Sequence, residues 1–273
     1  MRLGLQMWSI FDVVMEKGFA AAMREVRKIG YEGIEFAMHG NPTVSALTGI
    51  APRDLKAMLD DAGIVPIGHH LPEPKVVLDN WSSVVEEIQT LGVPYSGIGP
   101  AFYGDRTPFS DQKETYALYA NLCGMLRDAG TQPVVHGSAY GFLLDYKGRH
   151  VIEGMLEEIG LDLLQPEFDT AWMIIGRVDP VEYIHKYANH VDLLHLKDFH
   201  PPIEESDYLM VRHNTVADHG RGTAVGEDGV QDVGQIVRAA GESGVKWLIT
   251  ELWNEPNSME NAAKSLENIS RYL

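Results

Sequence analysis

VDLLHLKDF, residues 191–199, is an apolar run that closes on His195, Lys197 and Asp198. Read as a strand, it alternates its side chains between two faces, which puts Leu193, His195 and Lys197 together on one of them. Three other runs have the same form. QPVVH (132–136) closes on His136, LLQPEFD (163–169) on Asp169 and KWLITE (246–251) on Glu251. Each leads into loop-like sequence and then a helical stretch. In a (β/α)8 barrel the downstream strand ends converge on one mouth, where such folds keep their chemistry. Two imidazoles and two carboxylates meeting there suit a divalent metal ion.

Working outward, LGLQM, GIEF, VPIGHH and SGIG supply the earlier strands, and eight strand-then-helix units result. Helices are expected at Phe19–Ile29, from Arg53 with Pro52 at its start, and at Lys75–Leu91, Ser110–Ala129, Gly148–Ile159, Pro180–Asn189, Gln231–Ser243 and Met259–Tyr272. Short apolar strands between helices of period near 3.6 are what a helix-covered parallel sheet requires. Gly30, Gly63, Gly130 and Gly244 follow helical runs, where a left-handed cap fits. Ser110, Asp179 and Ser258 are candidate N-caps. No linker, repeat or composition shift divides the chain, so residues 1–273 are expected to form a single-domain (β/α)8 TIM barrel. A doubly wound sheet would more often carry a Gly-rich phosphate turn after its first strand. Here that strand runs into MWSIF, and the chain has no GxGxxG or GxxxxGK[ST].

The 273 residues are 45% hydrophobic and 22% charged, ordinary for a globular protein. With 22 Lys and Arg against 39 Asp and Glu, the net charge is −17. That surface repels phosphate backbones and anionic lipids, so no nucleic-acid or membrane partner is expected. No segment approaches the roughly 20 apolar residues that span a bilayer. MRLGLQMWSIF reads as an opening strand, not a signal peptide. The one cysteine, Cys123, has no internal disulfide partner and lies in a helical run, as a buried apolar residue would. Together these suit a cytoplasmic protein. Barrels often pair, so a homo-oligomer is compatible.

Each candidate ligand has a plainer reading by itself. His195 can be a core histidine, Asp169 a helix cap, Glu251 an ion-pair partner, and His136 a substrate contact. Jointly those readings weaken, because an unpaired buried carboxylate costs several kcal/mol and two of them call for a cation. Lys197, two residues after His195, either pairs with a neighbouring carboxylate or holds a substrate oxygen. Glu167 shares a face with Asp169 and is a deeper residue that orients a ligand or replaces one. Trp8, Phe36, Trp172 and Trp253 fall at the expected mouth, where flat rings stack on sugars. Glu35, His69 and His70 lie at strand ends and can bind substrate hydroxyls. The Gly-rich segment His219–Gly229 is too long for a tight turn, and its Arg221 is the cation best placed for an anionic group.

The whole chain resembles the xylose-isomerase-like TIM-barrel family of sugar phosphate isomerases/epimerases. The resemblance is carried by LGLQMWS, IGYEGIEF, PEFDTAW, LLHLKDF, AVGEDGV and TELWNEP. It implies one divalent cation, often manganese, held by a Glu, an Asp, a His and a second Glu. Asp169, His195 and Glu251 match the last three. His136 stands where many members have the first Glu, and it is similar to the first His of a His-Asn-His segment found in a subgroup. The second His of that segment is Ser138 here, and an acidic residue slightly further on is Gly141. Ketose epimerases of the family use two metal-bound glutamates as opposed proton acceptor and donor, and His136 breaks that symmetry.

The expected activity is metal-dependent isomerisation or epimerisation of a small sugar or keto-sugar through an enediolate. Glu251 is the base, Lys197 stabilises the enediolate, and His136, His70 or Glu167 is the second acid/base. The expected ligands are His136, Asp169, His195 and Glu251. Substrate contacts are expected from Trp8, Glu35, His70, Trp172, Arg221 and Trp253. Manganese leads, with magnesium, cobalt or zinc as alternatives, since a second imidazole disfavours magnesium. The alternative reaction is elimination by a lyase or dehydratase on a keto-inositol or 3-keto-glycoside. An endonuclease on the same barrel needs more His and carboxylate ligands than these strand ends supply.

Overall fold

In the computed structural model, eight parallel strands close into a barrel. The structure describes residues 1–99, 112–138, 141–142, 145–146, 148–202, 220–253 and 257–273. The barrel strands are β1 (Arg2–Gln6), β2 (Gly33–Ala37), β3 (Val65–His70), β4 (Tyr95–Ile98), β5 (Gln132–His136), β8 (Gln165–Asp169), β9 (Leu193–Leu196) and β12 (Trp247–Thr250). They neighbour one another in chain order, and β12 pairs with β1 to close the ring. Two short antiparallel pairs decorate the loops: β6 (Asp145–Tyr146) with β7 (Arg149–His150), and β10 (Asp198–Phe199) with β11 (Gly222–Thr223).

The helices pack on the outside by amphipathic spacing. Phe19–Ile29 buries Phe19, Ala22, Met23 and Val26, three or four residues apart. Pro52–Ala62 starts on a proline that needs no intrahelical N–H partner and buries Leu55, Leu59 and Ala62. It ends at Gly63 with φ 70°, a left-handed cap that only glycine adopts cheaply. Fully burying a leucine contributes about 1.5–3 kcal/mol. Cys123 is buried inside the Gln112–Ala129 helix.

Several expected boundaries change. The run Lys75–Leu91 is two helices, Pro74–Asp79 and Trp81–Leu91. Between them Asn80 leaves helical geometry and donates its side-chain amide to the Val76 carbonyl, ending the first helix. The β6–β7 pair replaces the start of the helix expected from Gly148, which begins at Val151. Phe11–Lys17 and Thr170–Ile175 are additional short helices. Asp179 caps its helix by accepting from the amides of Val181 and Glu182. Ser258 is not a cap: Asn257 precedes the helix in a left-handed conformation, and the Ser258 hydroxyl donates to Asp12. Ser110 and the start of its helix lie outside the described residues.

Inside the barrel, Ile67, Tyr95, Val134, Leu193, Trp247 and Ile249 form an apolar layer. Gly33 makes room for it: a Cβ there would lie 2.7 Å from Ile67 Cγ1 and 3.0 Å from Trp247 Cη2. The next inward-facing residues towards the mouth are polar.

Candidate functional site

Strand parity carries His136, Asp169, His195 and Glu251 inward at the same end. Val134 and His136 share one face of β5, Leu193 and His195 one face of β9, and Asp169 pairs in register with His195. One donor atom from each of the four lies within 4.8 Å of the others. Nε2 of His136 is 3.9 Å from both Asp169 Oδ2 and Glu251 Oε2. Nδ1 of His195 is 2.7 Å from Glu251 Oε2. Asp169 and His195 are wholly buried. Oδ1 of Asp169 accepts the Trp172 amide, so the residue caps a helix as well as facing the cluster. Its Oδ2 and the His136 Nε2 are buried without a hydrogen-bond partner.

A buried imidazole nitrogen and a buried carboxylate oxygen, both unsatisfied and 3.9 Å apart, fit a cation. Donors about 2.1 Å from a common ion lie at most about 4.2 Å apart, and the 3.9 Å separations fall within that reach. Burial pushes the Asp169 carboxyl up to about 7 despite the nearby Lys197 charge. Burial, with the positive charges of His70 and His195, pushes the His136 imidazole well below its usual value. Nζ of Lys197 donates to Glu251 Oε1 at 2.5 Å. Burial favours a neutral Glu251, but the Lys197 charge and the His195 contact outweigh it and hold the carboxylate ionised.

Beneath this set lies a second one. Glu35, His70, Glu167 and His195 also offer donor atoms within 4.8 Å of one another. His195 belongs to both, because its Nε2 is 2.8 Å from Glu35 Oε2 and 3.4 Å from Glu167 Oε1. Nε2 of His70 lies 3.1 Å from Glu35 and 3.2 Å from Glu167. Burial would lower the His70 pKa, yet the two carboxylates raise it to about 10. Gln6 donates to Glu35 at 2.7 Å.

A β-bulge selects which histidine of the pair enters. The β2–β3 register shifts between Ile34 and Glu35, which pair with Pro66 and Gly68 and pass over Ile67. The extra residue flips strand parity, so Ile67 and His70 both face inward. His69 faces outward and is held at 2.7 Å by Ser96 Oγ. Burial, with the His70 charge, pushes its imidazole down to about 3. His69 is therefore not a mouth residue.

The remaining candidates separate. Trp172 lines a cavity of about 490 Å³ together with His70, His136 and Ser138. Trp253 is 1% exposed; its indole donates to the Asp198 carbonyl, and Lys197 Nζ sits 4.3 Å above its ring. It supports Lys197 and does not line the cavity. Glu35 is buried under His70 and likewise offers no free face to a ligand. Phe36, one residue out of phase with Glu35, packs outward against Phe19. Trp8 is 39% exposed and stacks on His39, outside the cavity lining. Arg221 donates to the Pro202 carbonyl and lies against Phe199, because β11 pins its segment to β10. His219 lies outside the described residues. The Glu35–His70–Glu167 triad is the feature that sequence reasoning left unassembled, although all its members had been singled out.

A parallel eight-stranded barrel with acids and imidazoles at the carboxyl ends of its strands defines a class of barrel enzymes. The profile of the xylose isomerase-like TIM barrel family matches residues 23–272, and the chain belongs to that family. Among solved structures, a sugar phosphate isomerase/epimerase from Parabacteroides distasonis is similar at 21% identity, with a TM-score of 0.77 and 99% of this chain and 94% of that one covered. A probable 3-DHS dehydratase, AsbF, from Bacillus anthracis is similar at 12% identity and TM-score 0.73, covering 99% of each chain. The IOLI protein, solved with a binding zinc atom, is similar at 15% identity and TM-score 0.71, covering 100% of this chain and 99% of that one. A comparison with curated proteins returned no match. Among the described residues, no helix is long and apolar enough to cross a membrane.

Proposed function

We propose that the protein is a divalent-metal-dependent sugar isomerase or epimerase, acting by proton transfer at a carbon beside a carbonyl. The observation that carries this reading is the four-residue cluster of His136, Asp169, His195 and Glu251, with two of its buried donor atoms unsatisfied. These four side chains would hold the ion. When bound, a divalent cation polarises a carbonyl and stabilises negative charge on its oxygen. The two imidazoles favour manganese, cobalt or zinc over magnesium.

Glu251 accepts the proton, and Lys197 fixes its carboxylate through the 2.5 Å hydrogen bond. Lys197 also brings positive charge to oxygens that become anionic. His70 lines the cavity and is kept protonated by Glu35 and Glu167, so it is the group that returns a proton, while His136, neutral and a ligand, does not. Glu167 lies beneath His70, where it holds that ring and does not meet the substrate. A proton returned to the opposite face of the same carbon gives an epimer, and one returned to the neighbouring carbon gives an isomer.

Elimination is the second reading, and a particular asymmetry favours it. Beside the carboxylate Glu251 the cavity is lined by the charged His70, and an imidazolium can protonate a leaving oxygen. Proton NMR of keto-sugar reactions in deuterated water separates the two: isomerisation exchanges hydrogen within one carbon skeleton, whereas elimination releases a leaving group. Glu251→Gln with metal still bound is expected to lower kcat by about 10²–10⁴. Turnover retained in that variant removes the base role from Glu251.

A further inference from the structure

The cavity beside the cluster is lined mostly by apolar side chains. Its polar groups are the imidazoles of His70 and His136, the hydroxyls of Ser138 and Tyr119, the Trp172 indole and the Glu73 carboxylate. The wall built after β3 and at the end of β4 is aliphatic except for Glu73, and is formed by Leu71, Pro72, Pro74, Val76 and Ile98. Hydrogen bonding between Leu71 N–H and the Gly97 carbonyl fixes that wall to the barrel. Burial holds the Tyr119 hydroxyl protonated, with its pKa pushed up to about 12, so it adds no charge. At about 490 Å³ the space lies within the range of about 300–1,000 Å³ typical of small-molecule pockets.

A phosphate would need cationic or clustered N–H donors. Among the described lining residues there is no lysine or arginine, and Glu73 adds negative charge. Among the described residues, Lys197 binds Glu251 and Arg221 binds the Pro202 carbonyl.

We propose that the site takes an uncharged glycoside with an apolar aglycone, its sugar towards His136 and its aglycone against Leu71, Pro72, Pro74, Val76 and Ile98. This rests on the reading of the mouth as a sugar site and names the substrate class for it. Burying a flat or aliphatic group there removes apolar surface from water on both partners.

The test is a calorimetric series on the metal-loaded protein with 3-keto-D-glucose, its 6-phosphate and its phenyl β-glycoside. The phenyl glycoside is expected to bind at least tenfold more tightly than the free keto-sugar, and the 6-phosphate no more tightly than it. Val76→Trp and Val76→Lys, checked by melting temperature for folding, are expected to remove most of the phenyl advantage. Tightest binding by the phosphate, or no gain from the phenyl group (absence of all binding included), overturns the proposal. Turnover is read separately by NMR. Tight phenyl-glycoside binding without solvent-hydrogen exchange or product supports the substrate class and defeats the proposed reaction. Turnover with no phenyl preference does the reverse.

Discussion

Lys197 Nζ lies 2.5 Å from Glu251 Oε1, joining the residues that follow β9 and β12. The pair is buried, and the lysine is flanked by the faces of Trp172 and Trp253 at 5.3 and 4.3 Å. An ammonium between two rings and a carboxylate is held in one place, and so is the carboxylate.

Replacing Lys197 by Met is expected to lower kcat by about 10²–10³ while metal content stays stoichiometric. Steady-state rates beside elemental analysis check this. Loss of metal together with activity would make Lys197 a structural support and not a participant.

Asp169→Asn tests the cation. Altering even the outer partners of a metal ligand costs about 10–100-fold in affinity, so losing the ligand itself is expected to cost at least that for Mn²⁺ or Zn²⁺. An ion that binds only the folded state raises the melting temperature. Chelation is therefore expected to lower the wild-type melting temperature and to leave that of D169N nearly unchanged. Equal responses would remove Asp169 from the ligand set.

His70 predicts a pH dependence of stability. Its folded pKa of about 10 exceeds its unfolded value near 6.5, so the folded state holds the proton more tightly. That stabilisation is complete below about pH 6.5 and is lost as pH rises through about 10. Chemical denaturation between pH 6 and 10 is expected to show falling stability, with a shallower slope in His70→Gln. A wild-type profile flat over this range contradicts a charged His70.

Gly97→Ala tests how tightly the lower cluster is packed. A Cβ there would lie 2.7 Å from His70 Cδ2 and 3.1 Å from Glu167 Oε2. Displacing that ring is expected to cost about 1–3 kcal/mol in equilibrium unfolding. A neutral result would mean that His70 shifts freely.

The four-donor cluster was legible because it depends on two local regularities. Strand side chains alternate with period two, and a parallel barrel brings all its strand ends to one rim. The His70–Glu35–Glu167 triad was less legible, since only the skipped Ile67 decides that His70 enters and His69 leaves. Of the aromatic candidates, Trp172 lines the cavity, whereas Phe36 lies one residue out of phase with Glu35 and points outward, and Trp253 is covered by Phe199 and Trp172.

By itself, the sequence determined the barrel and the rim on which His136, Asp169, His195 and Glu251 meet, because alternation of apolar strands and amphipathic helices is a local property. Only the tertiary structure decided which neighbours share those groups. It placed His195 between Glu251 and Glu35, Lys197 against Glu251, and aliphatic side chains in the same cavity as His136. Such contacts depend on register, on the bulge in β3 and on closure of the ring, which join residues far apart in the chain.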